Sequence, residues 1–334
     1  MSTSTVIVVG RGNFASEATR ALRSLSTASV IRCHRAASPG TVAFSGDGTT
    51  DHSEIRGDAP DGTDGFAELF ALHTPAVILN ASSNFSPYAP RPAGSPFGAT
   101  VADQLPVACA VAKAAHLAST EALTLNACYP EFVNTVLRLS GHEFDAGVGN
   151  TQLFSAPDRC RISPDTDFLG HHSHLGKDFV REMHIFEWES QTSRALRPPE
   201  LKHVLHLRGL SRFARNALAA RAAGSLIARL VERRSVRTCL PGALGVTGAS
   251  PVQVDLTATG ACVQAQYDPA TRTALDHWYA AESLAEGWSI SGNGLHLTGA
   301  VTDHLDARRG LDLTGSSRTV PLDQLDKWVT TLAA

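Results

Sequence analysis

The first apolar run, Thr5-Val6-Ile7-Val8-Val9, is mostly β-branched and unbroken, as in a strand buried on both faces. It stops at Gly10. From Glu17 to Leu25 the apolar residues fall instead at helical spacing, with Ala18, Ala21, Leu22 and Leu25 on one side. The alternation continues. A strand is predicted over Ser29 to Arg35, ended by Ala36-Ala37-Ser38-Pro39-Gly40, with a short strand at Thr41 to Phe44 after it. Residues 45 to 64, rich in Gly, Asp and Thr, read as a long surface connection, and Thr63 or Asp64 can cap a helix from Gly65 to Leu72.

Pro75 to Leu79 is again continuously apolar and runs into Asn80-Ala81-Ser82-Ser83, the pattern of a parallel strand whose carboxyl end opens onto a ligand. The stretch from Asn84 to Pro96 holds four prolines and one glycine and reads as a loop, with Arg91 its only charge. A helix over Phe97 to Leu117, a strand over Leu123 to Ala127 and a helix from Pro130 to about Ser140 complete the first half. Strand–helix alternation of this kind predicts an α/β protein, with a Rossmann-type parallel sheet over residues 1–149.

The second half reads as an α+β domain over 150–334. A possible helix after Gly147-Val148-Gly149-Asn150 is cut by Pro157 and Pro164, and Glu182 to Glu189 alternates like a half-buried strand. Arg194 to Lys202 reads as a proline-containing connection and Leu210 to Arg234 as a long helix. Val252 to Gln266 and Trp288 to Ala300 read as antiparallel strands, the latter with a hairpin turn at Ser291-Gly292-Asn293-Gly294, and Leu322 to Leu332 as a closing helix.

Composition narrows the function classes. The chain has 334 residues, 43 % hydrophobic and 18 % charged, enough for two globular domains. A net charge of −3 without any Lys/Arg run argues against nucleic acid and membrane-surface partners. Met-Ser-Thr-Ser-Thr leads directly into the first strand without the pattern of a signal peptide, and no apolar run spans a bilayer. The six cysteines are widely spaced, with no zinc-ligand pattern, so reduced thiols and a cytoplasmic location are expected and no metal is assigned.

The candidate chemistry begins at Gly10-Arg11-Gly12-Asn13-Phe14-Ala15. Gly10 permits a tight reversal, Gly12 lets backbone approach a pyrophosphate, and Ala15 lets helix and strand pack closely. Ala81, Ser82 and Asn126, at the ends of later strands, are further cofactor candidates with Gly10, Gly12, Asn13 and Phe14. At the end of the second strand, where an acidic residue would bind the adenosine ribose, stand Arg32, His34 and Arg35, which favours a 2′-phosphate and so NADP(H) over NAD(H). Three histidines lie within four residues, His171-His172-Ser173-His174, a grouping that packing alone does not call for.

Taken together, the turn at Gly10 to Ala15, the loop Asn84 to Pro96, the segment Asn126 to Asn134, Gly147-Val148-Gly149 and the turn Gly170-His171-His172-Ser173 resemble the lactate/malate dehydrogenase superfamily, over most of the chain. The resemblance implies a nucleotide-binding domain followed by a substrate domain, a nicotinamide cofactor, and His172 as the proton donor or acceptor, with His171 and His174 as neighbours able to replace it. Asn126 would join the catalytic set.

Two of the family's residues are missing. The carboxylate that orients the histidine would fall on Leu153 or Phe154, and the arginine that clamps a substrate carboxylate on Ala156 or Pro157. Gln152 or Asn150 is left to orient the histidine; Arg91, Arg159 or Lys177 to provide a cation; and Arg215 and His174 to contact substrate. The expected substrate is therefore a small molecule other than an ordinary 2-keto acid, or a carrier- or peptide-bound group in specialised metabolism. A related branch, the NAD- and manganese-dependent glycosidases, needs a metal-binding Cys near Gly149 or Asn150, which is absent. The alternative of another class is a non-catalytic relative serving as partner or scaffold for another enzyme, and a homodimer is possible for either.

Overall fold

The computed structural model describes residues 4–46, 53–82, 104–154, 165–175, 183–257, 260–299, 301–303 and 318–333. Its centre is a seven-stranded sheet made by β1 (Thr5–Val9), β2 (Ser29–Arg35), β3 (Thr41–Ser45), β4 (Ser53–Arg56), β5 (Val77–Asn80), β6 (Leu123–Asn126) and β7 (Ala146–Gly147). The spatial order is β4-β3-β2-β1-β5-β6-β7. From β2 to β7 all pairs are parallel, and the order reverses beside β1, so the carboxyl ends of β1 and β5 open a crevice there. This is the expected α/β, Rossmann-type arrangement with one difference. β3 and β4 form an antiparallel edge, and Ser53–Arg56, read from sequence as surface connection, is one of its strands.

Helices α1 (Asn13–Leu25), α2 (Thr63–His73), α3 (Leu105–Leu117) and α4 (Pro130–Leu139) connect these strands. The predicted amino-terminal turns of α3, Phe97 to Asp103, lie outside the described residues.

The second half adds β8 (Thr166–Leu169), β9 (His184–Glu187) and β10 (Thr192–Ala195) as one antiparallel sheet, and β11 (Ser235–Pro241), β12 (Ala249–Thr257) and β13 (Gly260–Ala265) as another. A third consists of β14 (Trp288–Ser291), β15 (Gly294–Leu297) and β16 (Arg318–Pro321). Its helices are α5 (Pro198–Gly209), α6 (Arg212–Arg233), α7 (Pro269–Ala285) and α8 (Leu325–Ala333). Two sequence expectations change here, and one strand without a sequence expectation is added. Arg194 to Lys202 is not a connection: it includes the end of β10 and the start of α5, whose Pro198 and Pro199 occupy the first turn, where no backbone donor is needed. Asn150–Leu153 is a single 3-10 turn rather than a helix. Ser235–Pro241 is a full strand.

The halves share their cores. On one face of the central sheet Ile7, Ile78 and Phe132 pack with Trp288, Leu295 and Leu325. On the other, Val6, Val8 and Leu22 pack with Ala223, Ile227 and Val254. Close approach of α6 to α1 depends on Gly224, where a Cβ would stand 2.8 Å from the Ala21 Cβ. Ser211 starts α6 by accepting the Ala214 N–H, and Asp268 starts α7 by accepting that of Thr271.

Candidate active site

At the end of β1 the chain turns through Gly10, whose φ is +140° and whose N–H donates to the Cys33 carbonyl at 2.7 Å. A Cβ at Gly10 would lie 2.6 Å from the Ala81 carbonyl oxygen and 3.3 Å from the Ala15 Cβ, so both glycine at 10 and a small residue at 15 follow from packing. Gly12 differs. It has ordinary φ, and a Cβ there would meet nothing within 4 Å, because it faces a cleft.

The cleft has a volume of about 940 Å³, at the upper end for a ligand site. His34 and Arg35 line one end, the turn at Arg11–Phe14 with Ala81 and Ser82 lines the middle, and Tyr129, Glu131 and His172 line the other. The amino end of α1 lines this middle section, and the buried Asn13 Nδ2 has no partner among the described residues. A dinucleotide fits these features: among the described residues no side chain fills the space over Gly12, an amide donor is left over, and bases stand at the end of β2.

His172 sits on a 3-10 turn, His172–Leu175, that follows β8. Its Nδ1 lies 3.4 Å from Oε1 of Glu286, the residue capping the carboxyl end of α7. Its ring meets that of Tyr129 edge-on, with centroids 5.1 Å apart. His172 is 19 % exposed and Glu286 is buried, so the ring is open to the cleft and its carboxylate partner is not. Burial raises the Glu286 carboxyl well above the ordinary carboxylate range.

The neighbouring histidines are built into the turn. His171 is fully buried, its Nδ1 accepts the Ser173 N–H at 3.2 Å, and burial holds its pKa well below the ordinary value. It is therefore neutral. The His174 Nδ1 accepts the His171 N–H at 2.9 Å, while Ser173 Oγ donates to Glu282 Oε2 at 2.8 Å. Only His172 of the three lines the cleft.

Glu131, in the first turn of α4, is almost completely buried in the cleft wall next to His172. Burial raises its carboxyl to about 8, partly offset by backbone hydrogen bonds at Glu131 and His172. At neutral pH it is mainly a neutral acid.

The other sequence candidates are placed as follows. Asn126 lies behind the cleft: its Oδ1 accepts from Asn80 and the Cys128 N–H, and its Nδ2 donates to Asn134 at 2.8 Å. It ties β5, β6 and α4 together. Gln152 Oε1 accepts the Gly149 N–H at 2.6 Å, stabilising its own turn, and no bond from it to His172 occurs among the described residues. Arg215 donates to the Leu175 carbonyl at 2.8 Å and braces the histidine turn from α6. Arg32 donates to the Gly10 carbonyl at 2.9 Å, leaving His34 and Arg35 as the bases along the cleft. Arg91, Arg159 and Lys177 lie outside the described residues. Leu153 and Phe154, where the histidine's carboxylate was sought, are buried with Phe168 and Leu175. Sequence reasoning missed Glu131, Glu282 and Glu286. The Asp268-Pro269 helix start is readable in the sequence, but nothing there singles out Glu282 or Glu286 among the acidic residues.

No protein-family profile matches the sequence, and no curated protein matches it. Solved structures with a similar arrangement include a lactate dehydrogenase from a Medee basin deep-sea metagenome library, 11 % identical, covering 83 % of this chain and 96 % of that one with a TM-score of 0.48. The apo malate dehydrogenase of Picrophilus torridus is 13 % identical, covers 92 % and 100 %, and has a TM-score of 0.49. The minor L-lactate dehydrogenase of Enterococcus mundtii, without ligands, is 10 % identical, covers 86 % and 97 %, and has a TM-score of 0.45.

Proposed function

We propose that this protein is a nicotinamide-dependent oxidoreductase acting at an alcohol or ketone carbon, with His172 as its acid/base. The observation that carries this reading is one continuous cleft joining a dinucleotide-type turn at Gly10–Phe14 to a histidine backed by a buried carboxylate. A bound nicotinamide supplies hydride transfer. The chain's residues handle the proton and the positioning.

His172 Nε2 takes the hydroxyl proton in the oxidising direction and returns it in the reducing direction. Glu286, whose neutral form burial favours, accepts a hydrogen bond from Nδ1–H through a carboxyl oxygen, which fixes the tautomer and orients the ring. Tyr129 and the buried Glu131 limit water around the reacting carbon. Gly12, Asn13 and the first turn of α1 would hold the pyrophosphate, in the part of the cleft that Ala81 and Ser82 also line. His34 and Arg35 favour NADP(H) by meeting a 2′-phosphate.

An ordinary 2-keto acid is disfavoured as substrate, because Ala156 or Pro157 stands where the resemblance would put the arginine for its carboxylate. A neutral small molecule, or a carbonyl on a carrier or peptide, suits the wall of Tyr129, Glu131 and His172.

Titrating the protein's tryptophan fluorescence with NADPH and NADH tests the cofactor assignment. Saturable changes with both, tighter for NADPH, are expected. No change up to millimolar concentration of either would sink the reading. Saturable binding without any turnover over a panel of carbonyl substrates would instead favour the non-catalytic alternative.

A further inference from the structure

A second cluster of chemically active side chains lies on the face of the central sheet covered by α8. Cys109 from α3, His142 from the connection between α4 and β7, and Asp326 from α8 each present one donor atom. The three atoms lie within 4.8 Å of one another, the only such His/Cys/Asp/Glu group among the described residues. Cys109 is buried, His142 is half-buried and Asp326 is exposed, so the group spans the boundary between core and solvent. We propose that Cys109, His142 and Asp326 form a binding site for a zinc-class divalent cation, independent of the dinucleotide cleft.

The geometry needs only small adjustment. Zinc bonds of about 2.0–2.3 Å in a tetrahedral arrangement place neighbouring ligand atoms roughly 3.3–3.8 Å apart. His142 Nε2 and Asp326 Oδ1 are 3.0 Å apart, so that edge opens by a few tenths of an ångström, and the edges to the sulfur are no longer than 4.8 Å. The donor set of one thiolate, one imidazole and one carboxylate suits zinc and disfavours magnesium or calcium, which take oxygen ligands. Asp326 provides the entry side, and a water completes the fourth position.

Lys113 is the competing cation. It lies one turn along α3 from Cys109, and its Nζ is 3.3 Å from Asp326 Oδ1. A metal ion would replace the ammonium as counter-charge to Asp326, with Lys113 turning to solvent. The Cys109 thiol proton would leave to solvent as the metal–sulfur bond forms, leaving the oxidation states unchanged. The ligands come from three elements, so a bound ion would fasten α8 to α3 and α4 and stabilise the carboxyl-terminal helix on the sheet.

Chelator-treated full-length protein titrated with cobalt(II) and with zinc(II) tests the proposal. One equivalent of cobalt should produce thiolate-to-cobalt charge-transfer absorption, zinc should displace it, and zinc should raise the melting temperature. Cys109→Ser should remove the charge-transfer band. Asp326→Asn, at an exposed position where folding is not at stake, should weaken affinity by roughly tenfold or more, as loss of a ligand does. Lys113→Gln should tighten binding. Cys262→Ser, which removes the exposed thiol, should change nothing. The proposal is overturned if the wild type gives no charge-transfer band, if the band disappears in Cys262→Ser, or if Asp326→Asn binds as tightly as the wild type. NADPH titration is a separate readout, so failure here leaves the cleft assignment standing.

Discussion

Nδ1 of His172 and Oε1 of Glu286 lie 3.4 Å apart, joining residues separated by 114 positions in sequence. The histidine comes from a 3-10 turn after β8 and the carboxylate from the end of α7, and both rest on the packing of Tyr279. The Tyr279 ring stacks near His171, and its hydroxyl donates to the Ala249 carbonyl at 2.8 Å. In this chain the carboxylate therefore reaches the histidine from a different direction than Leu153 and Phe154, which are core. Replacing Glu286 by Gln keeps the shape, but an amide can donate to Nδ1 and so favour the wrong tautomer of His172. Once a substrate is in hand, kcat should fall by about 100-fold with KM little changed, and His172→Gln should cost at least as much. An equal loss in kcat and gain in KM would instead mark a binding role.

Gly10 and Gly12 should separate folding from cofactor binding. Gly10→Ala places a Cβ 2.6 Å from the Ala81 carbonyl at a φ of +140°, and should lower stability by about 2 kcal/mol or more in urea denaturation. Gly12→Ala meets no atom of the described residues within 4 Å. Its melting temperature should stay near that of the wild type, while its NADPH affinity falls by roughly tenfold or more, since the methyl group occupies the space where backbone meets pyrophosphate. Equal NADPH affinity in folded Gly12→Ala would place the phosphates elsewhere.

Arg35 should set the choice between the two dinucleotides. Arg35→Ala removes a charged donor to the 2′-phosphate, a contact of about 1.5–3 kcal/mol, so NADPH affinity should fall by about tenfold or more while NADH affinity hardly moves. Parallel losses for both cofactors would show that Arg35 supports the strand end rather than reading the phosphate.

Glu131 makes stability depend on pH with a definite sign. Its carboxyl is raised from the ordinary 4.5 to about 8 in the folded protein, so between these values the folded state holds a proton that the unfolded state has released. Its contribution is complete below pH 4.5 and is lost as pH rises to 8, at about 1.4 kcal/mol for each pH unit across that window. Glu131→Gln should flatten this fall, which urea titrations at pH 5 and pH 8 will measure. Parallel stability curves for the two proteins would mean that Glu131 is ionised in the folded state.

Much of the fold was legible because its signals are local. Val6 to Val9 could only be a buried strand, and Gly10 and Ala15 each have a steric reason that the geometry around Ala81 makes explicit. The antiparallel edge strand Ser53–Arg56 was hidden because three of its four residues are polar and most are exposed, so no hydrophobic period marks it. At the cleft, His172 could be picked out from its cluster, but its partner could not. Glu286 is one of many acidic residues until α7 folds against the histidine turn. Asn126 shows the reverse limit. A polar residue at the carboxyl end of a parallel strand looks like a ligand group, yet its amide is held by Asn80, Cys128 and Asn134 inside the fold.

A crystal structure of the NADPH complex tests the central claim most directly. The pyrophosphate should lie over Gly12 at the amino end of α1, the 2′-phosphate at Arg35, and the nicotinamide facing the His172 ring across a space that admits one carbinol group, whose carbon exchanges the hydride and whose oxygen exchanges the proton. A nicotinamide lying away from His172, or a dinucleotide bound outside the cleft, would contradict it.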